Sequence, residues 1–365
     1  MDYAAHYRKA NEDEIVAYYE KISKAQGKDP QATARTRDAE GTIPGEAREK
    51  LFNVSAEIKN KFHELGTPMP PLMEGCTVVD LCAGTGRDTY LAAQLVGPNG
   101  KVIAVEPDAE KLAVATKYLD QEMRQFGYDA SNVELIQGIP EDLSFIPDDS
   151  VDVVISNVTF NMSPDKDKYI REVKRILKPE GEWYFTDVFT DRRIPDDVAN
   201  NIDNVAMRLG GAMFIEDFRR LAQQAGFHDP RYLMTWKTPL TEEESAIFPG
   251  IAFATITSRL INSELTCDHC EDYGEEIIYD GSLPDYPDFF LFDKDIKFPA
   301  GQKMHVCDNV SVLGLGKSRY SKVISVFGDR DVHYGDIHGD HIIKTAPGFT
   351  GVKDEDEIEV QASCC

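Results

Sequence analysis

The stretch Val78-Val79-Asp80-Leu81-Cys82-Ala83-Gly84-Thr85-Gly86-Arg87-Asp88 runs from an apolar strand through a glycine turn into a helix, and Val102-Ile103-Ala104-Val105-Glu106 supplies the next strand. This is the pattern of the first strand, turn and helix of a doubly wound sheet, where small residues let the backbone approach a ligand and the second strand ends in a carboxylate. Gly84 and Gly86 provide the close approach, and Glu106, twenty positions beyond Gly86, is placed to accept both hydroxyls of a ribose. The segment predicts a nucleoside site at the carboxyl edge of a parallel sheet.

A dinucleotide fingerprint would carry a third glycine at Thr89, and this turn has none. Nothing is left to wrap a pyrophosphate. A strand-end Asp80 followed by such a turn is the form that holds S-adenosylmethionine, whose sulfonium and amino-acid end replace the pyrophosphate. Methyl transfer is therefore the leading chemistry.

Outward from this unit, apolar residues recur at helical spacing over 11 to 27 and 44 to 64 and predict a helical N-terminal cap across residues 1 to 70. From Cys76 the pattern alternates: strands over 77–81, 101–105, 132–137, 151–156 and 182–189, with helices over 87–96, 108–125 and 165–177. Pro179-Glu180-Gly181 breaks the last of these helices. Helices over 195–227 and antiparallel strands over 230–237 and 252–260 close a domain spanning 71–262. Short strands with Gly and Pro turns then predict a β-rich lobe over 263–345, followed by an acidic tail over 346–365.

Composition bounds the partners. With 39 Lys and Arg against 64 Asp and Glu, the chain carries a formal charge of −25, a field that repels nucleic acid and anionic membranes. No apolar run spans a bilayer, and Met1-Asp2-Tyr3-Ala4-Ala5-His6 lacks the apolar core of a signal peptide, so a cytoplasmic monomer is expected. Seven scattered cysteines argue for reduced thiols rather than a disulfide framework.

Further stretches appear in order: Ser156-Asn157, Asn161-Met162-Ser163, Arg171-Glu172-Val173, Phe185-Thr186-Asp187-Val188, Leu209-Gly210-Gly211-Ala212, Ala225-Gly226-Phe227, and Cys270-Glu271-Asp272-Tyr273-Gly274 leading to Tyr279-Asp280-Gly281-Ser282-Leu283-Pro284. Together with the glycine turn, this series resembles the arsenite methyltransferase family over residues 15 to 338. The resemblance implies a class I methyltransferase: a Rossmann-like α/β sheet with a helical N-terminal cap and a small β-rich C-terminal lobe. It implies S-adenosylmethionine as cofactor, with contacts at Asp80, Gly84, Gly86, Arg87, Glu106, Ile139, Glu141 and Asn157, Glu141 reading the adenine amino group. Cys82 and Ala83 replace the family's usual residues in the first turn, so altered binding of the amino-acid end is expected.

In that family trivalent arsenic is held by cysteine thiolates, soft ligands for a soft metalloid. The corresponding positions here fall at Leu65, Thr89, Phe160 and Arg208, Val158 replaces a further common cysteine, and the N-terminal pair is absent near Arg35-Thr36-Arg37. The resemblance thus transfers fold and cofactor but not the acceptor. The vacated positions nominate Phe160 and Arg208, with Thr89, Asn157, Thr159 and Met213, as the acceptor site, suited to a small soft or organic nucleophile bearing an anionic group. Phe160 as a pocket filler and Arg208 as the partner of an acid such as Glu216 is the plainer reading of the same residues. Asp187, at a strand end, is either a base for proton removal or a carboxylate capping the next turn.

The remaining cysteines keep other readings open. Cys267, Cys270, Cys307 and the terminal pair Cys364-Cys365 would serve arsenite methylation with glutathione-bound arsenic. Cys267-Asp268-His269-Cys270 with His305 and Cys307 has the spacing of a zinc site, but no second such motif follows, and no metal is assigned. A sensor that binds cofactor or metalloid without turnover is the third reading.

Overall fold

The computed structural model describes residues 12–26 and 45–337, apart from His63 and Lys317. Arg35-Thr36-Arg37, the acidic tail and Cys364-Cys365 lie outside the described residues. The chain divides into two compact units, the break falling between Asn262 and Ser263.

In the first unit, helix α1 (Glu12–Gln26) and two shorter helices, α2 (Gly45–Phe52) and α3 (Ala56–Asn60), precede the sheet. The predicted continuous helix over 44–64 is broken because Ser55 turns to an extended conformation (ψ 139°) and its N–H goes to the buried carboxylate of Glu122 at 3.1 Å. The alternating segment then gives β1 (Thr77–Leu81), α4 (Arg87–Val96), β2 (Lys101–Glu106), α5 (Ala109–Phe126), β3 (Val133–Gln137), β4 (Val151–Asn157), α6 (Lys166–Ile176) and β5 (Leu177–Thr190). Helices α7 (Asp196–Ala199) and α8 (Ile202–Ala206), strand β6 (Met213–Phe214), helix α9 (Ile215–Gln224), strand β7 (Arg231–Lys237), helix α10 (Glu242–Ile247) and strand β8 (Phe253–Ile261) complete the unit.

The sheet runs β3-β2-β1-β4-β5-β8-β7, with β6 paired to the end of β5. Strands β1 to β5 are mutually parallel, and β8 is antiparallel to both β5 and β7. Buried on both faces, the parallel strands read as near-continuous apolar runs. Strand β5 begins earlier than the sequence predicts, because Pro179-Glu180-Gly181 does not separate helix from strand. Glu180 takes a φ of +59°, its N–H bonds the carbonyl of Asn262, and the register against β4 shifts between Val151 and Val153.

Two cores flank the sheet. On one face α2, α4 and α5 cover Val78, Val102, Val153 and Ile155. On the other, α6 and α9 enclose the aromatic group Phe160, Tyr169, Trp183, Phe185 and Phe218. The strand order reverses between β2-β1 and β4, so the carboxyl ends of these strands diverge into a crevice where ligands bind in such sheets.

The second unit holds an antiparallel sheet of β9 (Glu276–Tyr279), β10 (Lys303–His305) and β11 (Ile324–Phe327), a ribbon that pairs buried Phe290 with buried Phe298, and a second ribbon that pairs Glu271–Asp272 with Gly335–Asp336. No helix among the described residues is long and apolar enough to cross a membrane.

Candidate active site

A cavity of about 590 Å³ opens at the reversal point. Its floor is the end of β1 and the turn after it: Asp80 and Cys82 through Thr85. A Cβ built on Gly84, whose φ is +59°, meets nothing within 4 Å, so the missing side chain is open cavity. Gly86 acts differently. Its Cβ would lie 2.9 Å from the Tyr90 ring and 3.2 Å from Ala115, so the packing of α4 requires a glycine here, and Gly86 is not among the residues that line the cavity.

Carboxylates crowd this floor. Asp80 is 3% exposed and accepts the Thr89 hydroxyl at 2.6 Å; burial, then the charge of Asp88, push its pKa well above the usual range. Glu106 accepts the N–H of Gly84 at 2.7 Å on one oxygen and that of Asp108 at 2.9 Å on the other. Both oxygens keep a free lone pair in a fixed orientation, as recognition of two hydroxyls requires. Asp108 caps α5 by accepting from the N–H groups of Glu110 and Lys111 and also holds Ser23 of α1.

At the other end, Arg87 is spent on structure. Its guanidinium lies 3.4 Å from the centre of the Phe62 ring and donates to the Gly66 carbonyl (2.9 Å), the Thr67 hydroxyl (2.7 Å) and Asp88 (2.7 Å). Asn157 completes the same knot, accepting from the Leu65 N–H and donating to Asp88 at 3.1 Å each. Arg208, 2% exposed, pairs with Glu64 at 3.2 Å, whereas Glu216 pairs with Arg219. The partner of Arg208 is therefore Glu64.

Of the residues nominated for the acceptor, Asn157 and Arg208 line the cavity. Phe160 does not: it is 0% exposed, ringed by Tyr169, Trp183, Phe185 and Phe218 at 5.3 to 6.3 Å between centroids. It fills the core, and truncation to alanine would cost about 3–5 kcal/mol of stability. Met213 belongs to that core as well, Thr159 bonds the Tyr169 hydroxyl, and Thr89 braces Asp80. Asp187 is wholly buried, accepting from the N–H groups of Asn161 and Val188, and burial raises its pKa to about 7. It caps the turn after β4 and does not reach the cavity wall.

Helix α1 covers two of the residues nominated for the cofactor. Ile139 packs with Ile15, Tyr19 and Ile22, and Glu141 is wholly buried; neither of them, nor Glu106, is among the residues that line the cavity. One Glu141 oxygen accepts the hydroxyls of Tyr19 (3.1 Å) and Ser163 (2.5 Å); the other has no hydrogen-bond partner among the described residues, and burial pushes the carboxyl up to about 7. The sequence did not single out Ser23, Gln26, Lys61, Phe62, Glu64, Asp108 or Lys111, all on the cavity wall. Asp108 carried a local signal, the N-cap pattern opening α5; the others come from distant segments without one.

In the second unit, Cys267, Glu271 and Asp308 bring ligand atoms within 4.8 Å of one another. Cys270 is disulfide-bonded, which departs from the expectation of reduced thiols, while His305 bonds Asp272 and Cys307 is buried. Cys267, Cys270, His305 and Cys307 thus do not form one ligand set.

The wall carries five acids, Glu64, Asp80, Asp88, Asp108 and Glu110, against four cations, Lys61, Arg87, Lys111 and Arg208; with the pairs Arg87–Asp88 and Arg208–Glu64 set aside, three acids face two lysines. An acidic wall at the Gly84 turn suits a ligand that carries the positive charge of a sulfonium. The fold and this site define an S-adenosylmethionine-dependent methyltransferase. Residues 72–229 match the family model for a methyltransferase domain. The chain is 37% identical over 330 residues to an arsenite methyltransferase of Aquipseudomonas alcaligenes, covering 90% of this chain and 94% of that one, and 32% identical to the human arsenite methyltransferase over 77% and 74%. It superposes with a TM-score of 0.77 on a crystal structure of an arsenic (III) S-adenosylmethionine methyltransferase from Chlamydomonas reinhardtii, 38% identical, covering 80% of this chain and 99% of that one. The chain belongs to the arsenite methyltransferase family.

Proposed function

We propose that this enzyme methylates a small soft or organic nucleophile whose lone pair needs no base, and that it does not hold arsenic on three protein thiolates. The observation that carries this reading is the cavity wall at the acceptor end, where Glu64, Asp88, Asn157 and Arg208 stand and Cys82, in the turn, is the one thiol among the described lining residues. Leu65 and Val158, at positions where the family carries cysteine, are buried together in an apolar cluster with Leu209. Asp187, the base the sequence nominated, is sealed from the cavity, and the acids at the acceptor end, Asp88 and Glu64, are held in ion pairs with Arg87 and Arg208, which disfavours an alcohol or ammonium acceptor that needs a free base.

In this reading Asp80, Gly84 and the Cys82-Ala83 turn hold the methionine end of the cofactor, Glu106 the ribose hydroxyls, and Ile139 and Glu141 the adenine. Bound S-adenosylmethionine supplies the electrophilic methyl group. The protein contributes orientation and exclusion of water, the terms that dominate when no proton moves. Arg208 offers guanidinium donors to an anionic group on the acceptor while Glu64 fixes its direction. The formal charge of −25 favours a small-molecule acceptor over nucleic acid, and a cytoplasmic location belongs to the same reading.

The relatives named for arsenite support a second reading, arsenic delivered as a complex with a small thiol such as glutathione. Transfer of labelled methyl to trivalent arsenic in excess thiol, beside a panel of thiols, selenols and their carboxylated forms, decides between them. Label on a carboxylated thiol or selenol, with arsenic unlabelled, supports the first. Methylated arsenic overturns it.

A further inference from the structure

Cys267, Glu271 and Asp308 come from separate pieces of the second unit: a loop, the ribbon strand Glu271–Asp272 and the short helix Asp308–Ser311. Their ligand atoms lie within 4.8 Å of one another, and Cys267 Sγ is 3.3 Å from Asp308 Oδ2. Sulfur at about 2.3 Å and oxygen at about 2.0 Å from one tetrahedral ion stand about 3.5 Å apart, so this pair already has coordination spacing. A fourth donor stands beside them, His333, whose Nε2 is 3.8 Å from Glu271 Oε2. Neighbours that are not themselves donors hold the set in place. Asn309, 2% exposed, accepts the Cys267 N–H at 2.7 Å and donates to the carbonyls of Cys267 and His269 at 2.9 Å each, which fixes the thiol-bearing loop. The Tyr273 hydroxyl donates to Glu271 at 2.9 Å, as outer partners do at metal centres. Arg330 leaves the carboxylates without a cation, since its guanidinium goes to Glu275, the Ser311 hydroxyl and the main-chain carbonyl of Asp308. Asp308 is 3% exposed, and among the described residues only the Cys267 thiol stands opposite its Oδ2. A buried carboxylate of this kind is ordinarily paired with a cation or bound to a metal.

We infer that Cys267, Glu271, Asp308 and His333 form a structural site for a divalent ion of zinc's borderline softness. One sulfur, one nitrogen and two carboxylate oxygens make a closed tetrahedral set with no open position for chemistry, and the thiol proton passes to solvent as the metal–sulfur bond forms. The thiolate and imidazole favour zinc over magnesium and calcium, which take oxygen donors. The ion ties the Cys267 loop, the ribbon and the short helix together in a unit whose strands are two to four residues long and bury little surface each.

The test titrates the full chain, freed of metal by a chelator and without added thiol, first with cobalt(II) and then with zinc(II). One cobalt(II) per chain is expected, with the near-ultraviolet charge-transfer band of a single thiolate, the strong visible bands of tetrahedral coordination, and displacement of both by zinc(II). Cys267→Ser should abolish the near-ultraviolet band. Glu271→Gln and His333→Ala, at side chains 38% and 51% exposed whose loss should spare folding, should each weaken cobalt(II) about tenfold or more. The double change Cys364→Ser, Cys365→Ser should leave the affinity within about twofold. If the band has the intensity of two or more thiolates, survives Cys267→Ser or is lost with the terminal pair, the ion sits on other cysteines and the inference falls. It falls equally if the unaltered chain binds no cobalt(II), or if either Glu271→Gln or His333→Ala binds it as tightly as the unaltered chain.

Discussion

The two glycines of the first turn make opposite predictions although only Thr85 separates them. Alanine at Gly86 must adopt a φ of +94° and place its Cβ 2.9 Å from the Tyr90 ring, whose hydroxyl is itself anchored on the Ala115 carbonyl and cannot swing away freely. The backbone contributes about 1–3 kcal/mol and the overpacking about as much again, so Gly86→Ala should lose about 2–5 kcal/mol of stability. Gly84→Ala pays a backbone cost near the lower bound, about 1 kcal/mol, since its Cβ has nothing within 4 Å. Its methyl instead intrudes on the cavity and should weaken S-adenosylhomocysteine roughly tenfold. Both tryptophans, Trp183 in β5 and Trp236 in β7, lie in the first unit, so urea unfolding followed by their fluorescence reports on the unit that holds the site. The reasoning is refuted if Gly84→Ala destabilises as much as Gly86→Ala, or if Gly86→Ala leaves stability intact and abolishes binding.

Other perturbations have equally definite outcomes. Burial raises Glu141 from 4.5 to about 7, so its carboxylate, the form that accepts from an amino group, is lost as pH falls through 7; S-adenosylhomocysteine should bind roughly tenfold more weakly at pH 6 than at pH 8, and Glu141→Gln should flatten that profile in calorimetry. The same shift makes folding less favourable as pH rises from about 4.5 to 7, because the unfolded chain gives up this proton first. Arg87→Met leaves Asp88, 6% exposed, without its cation and frees Phe62 and Gly66, so about 3–5 kcal/mol should be lost and trypsin should cut faster after Lys61. The triple change Leu65→Cys, Val158→Cys, Arg208→Cys should create binding of one trivalent arsenic per chain, read from thiolate-to-arsenic absorbance; no binding would show that these positions do not converge.

The strands were legible because each is a buried apolar run closed by a chemically distinctive residue: Asp80 ends β1, Glu106 ends β2 and Asn157 ends β4. Asp80 and Gly84 line the cavity, Glu106 stands behind them holding the Gly84 N–H, and all three follow from local pattern, whereas Arg87 and Asn157, also on the wall, came from the family resemblance. The walls were not legible. Glu64 meets Arg208 across 144 positions of sequence, and Tyr19 meets Glu141 across 122, pairings that no periodicity encodes. Phe160 was misplaced for a local reason. Val158 takes a φ of +57°, which turns the chain after Asn157 so that residue 157 faces the cavity and residue 160 faces the aromatic core.

That turn belongs to a set. Cys82, Val158 and Arg208 hold φ values of +54°, +57° and +65°, although none is glycine and Val158 is β-branched. Each such residue costs of order 1–3 kcal/mol, so the surrounding structure must impose the conformation. It does so through the main chain: the Ala83 N–H bonds Val105 at 3.1 Å, the Val158 N–H bonds Thr186 at 2.8 Å and the Arg208 N–H bonds Val205 at 2.8 Å. None of these bonds depends on the side chain at the strained position. The path of the backbone at positions 82, 158 and 208 is therefore set by main-chain bonds of the sheet and helix, whichever side chain stands there. Under the proposed function, the cofactor contacts at Asp80 and Glu106, at the ends of β1 and β2, do not involve positions 82, 158 and 208, so the acceptor wall can diverge within the arsenite methyltransferase family without moving the seat proposed for the methyl donor.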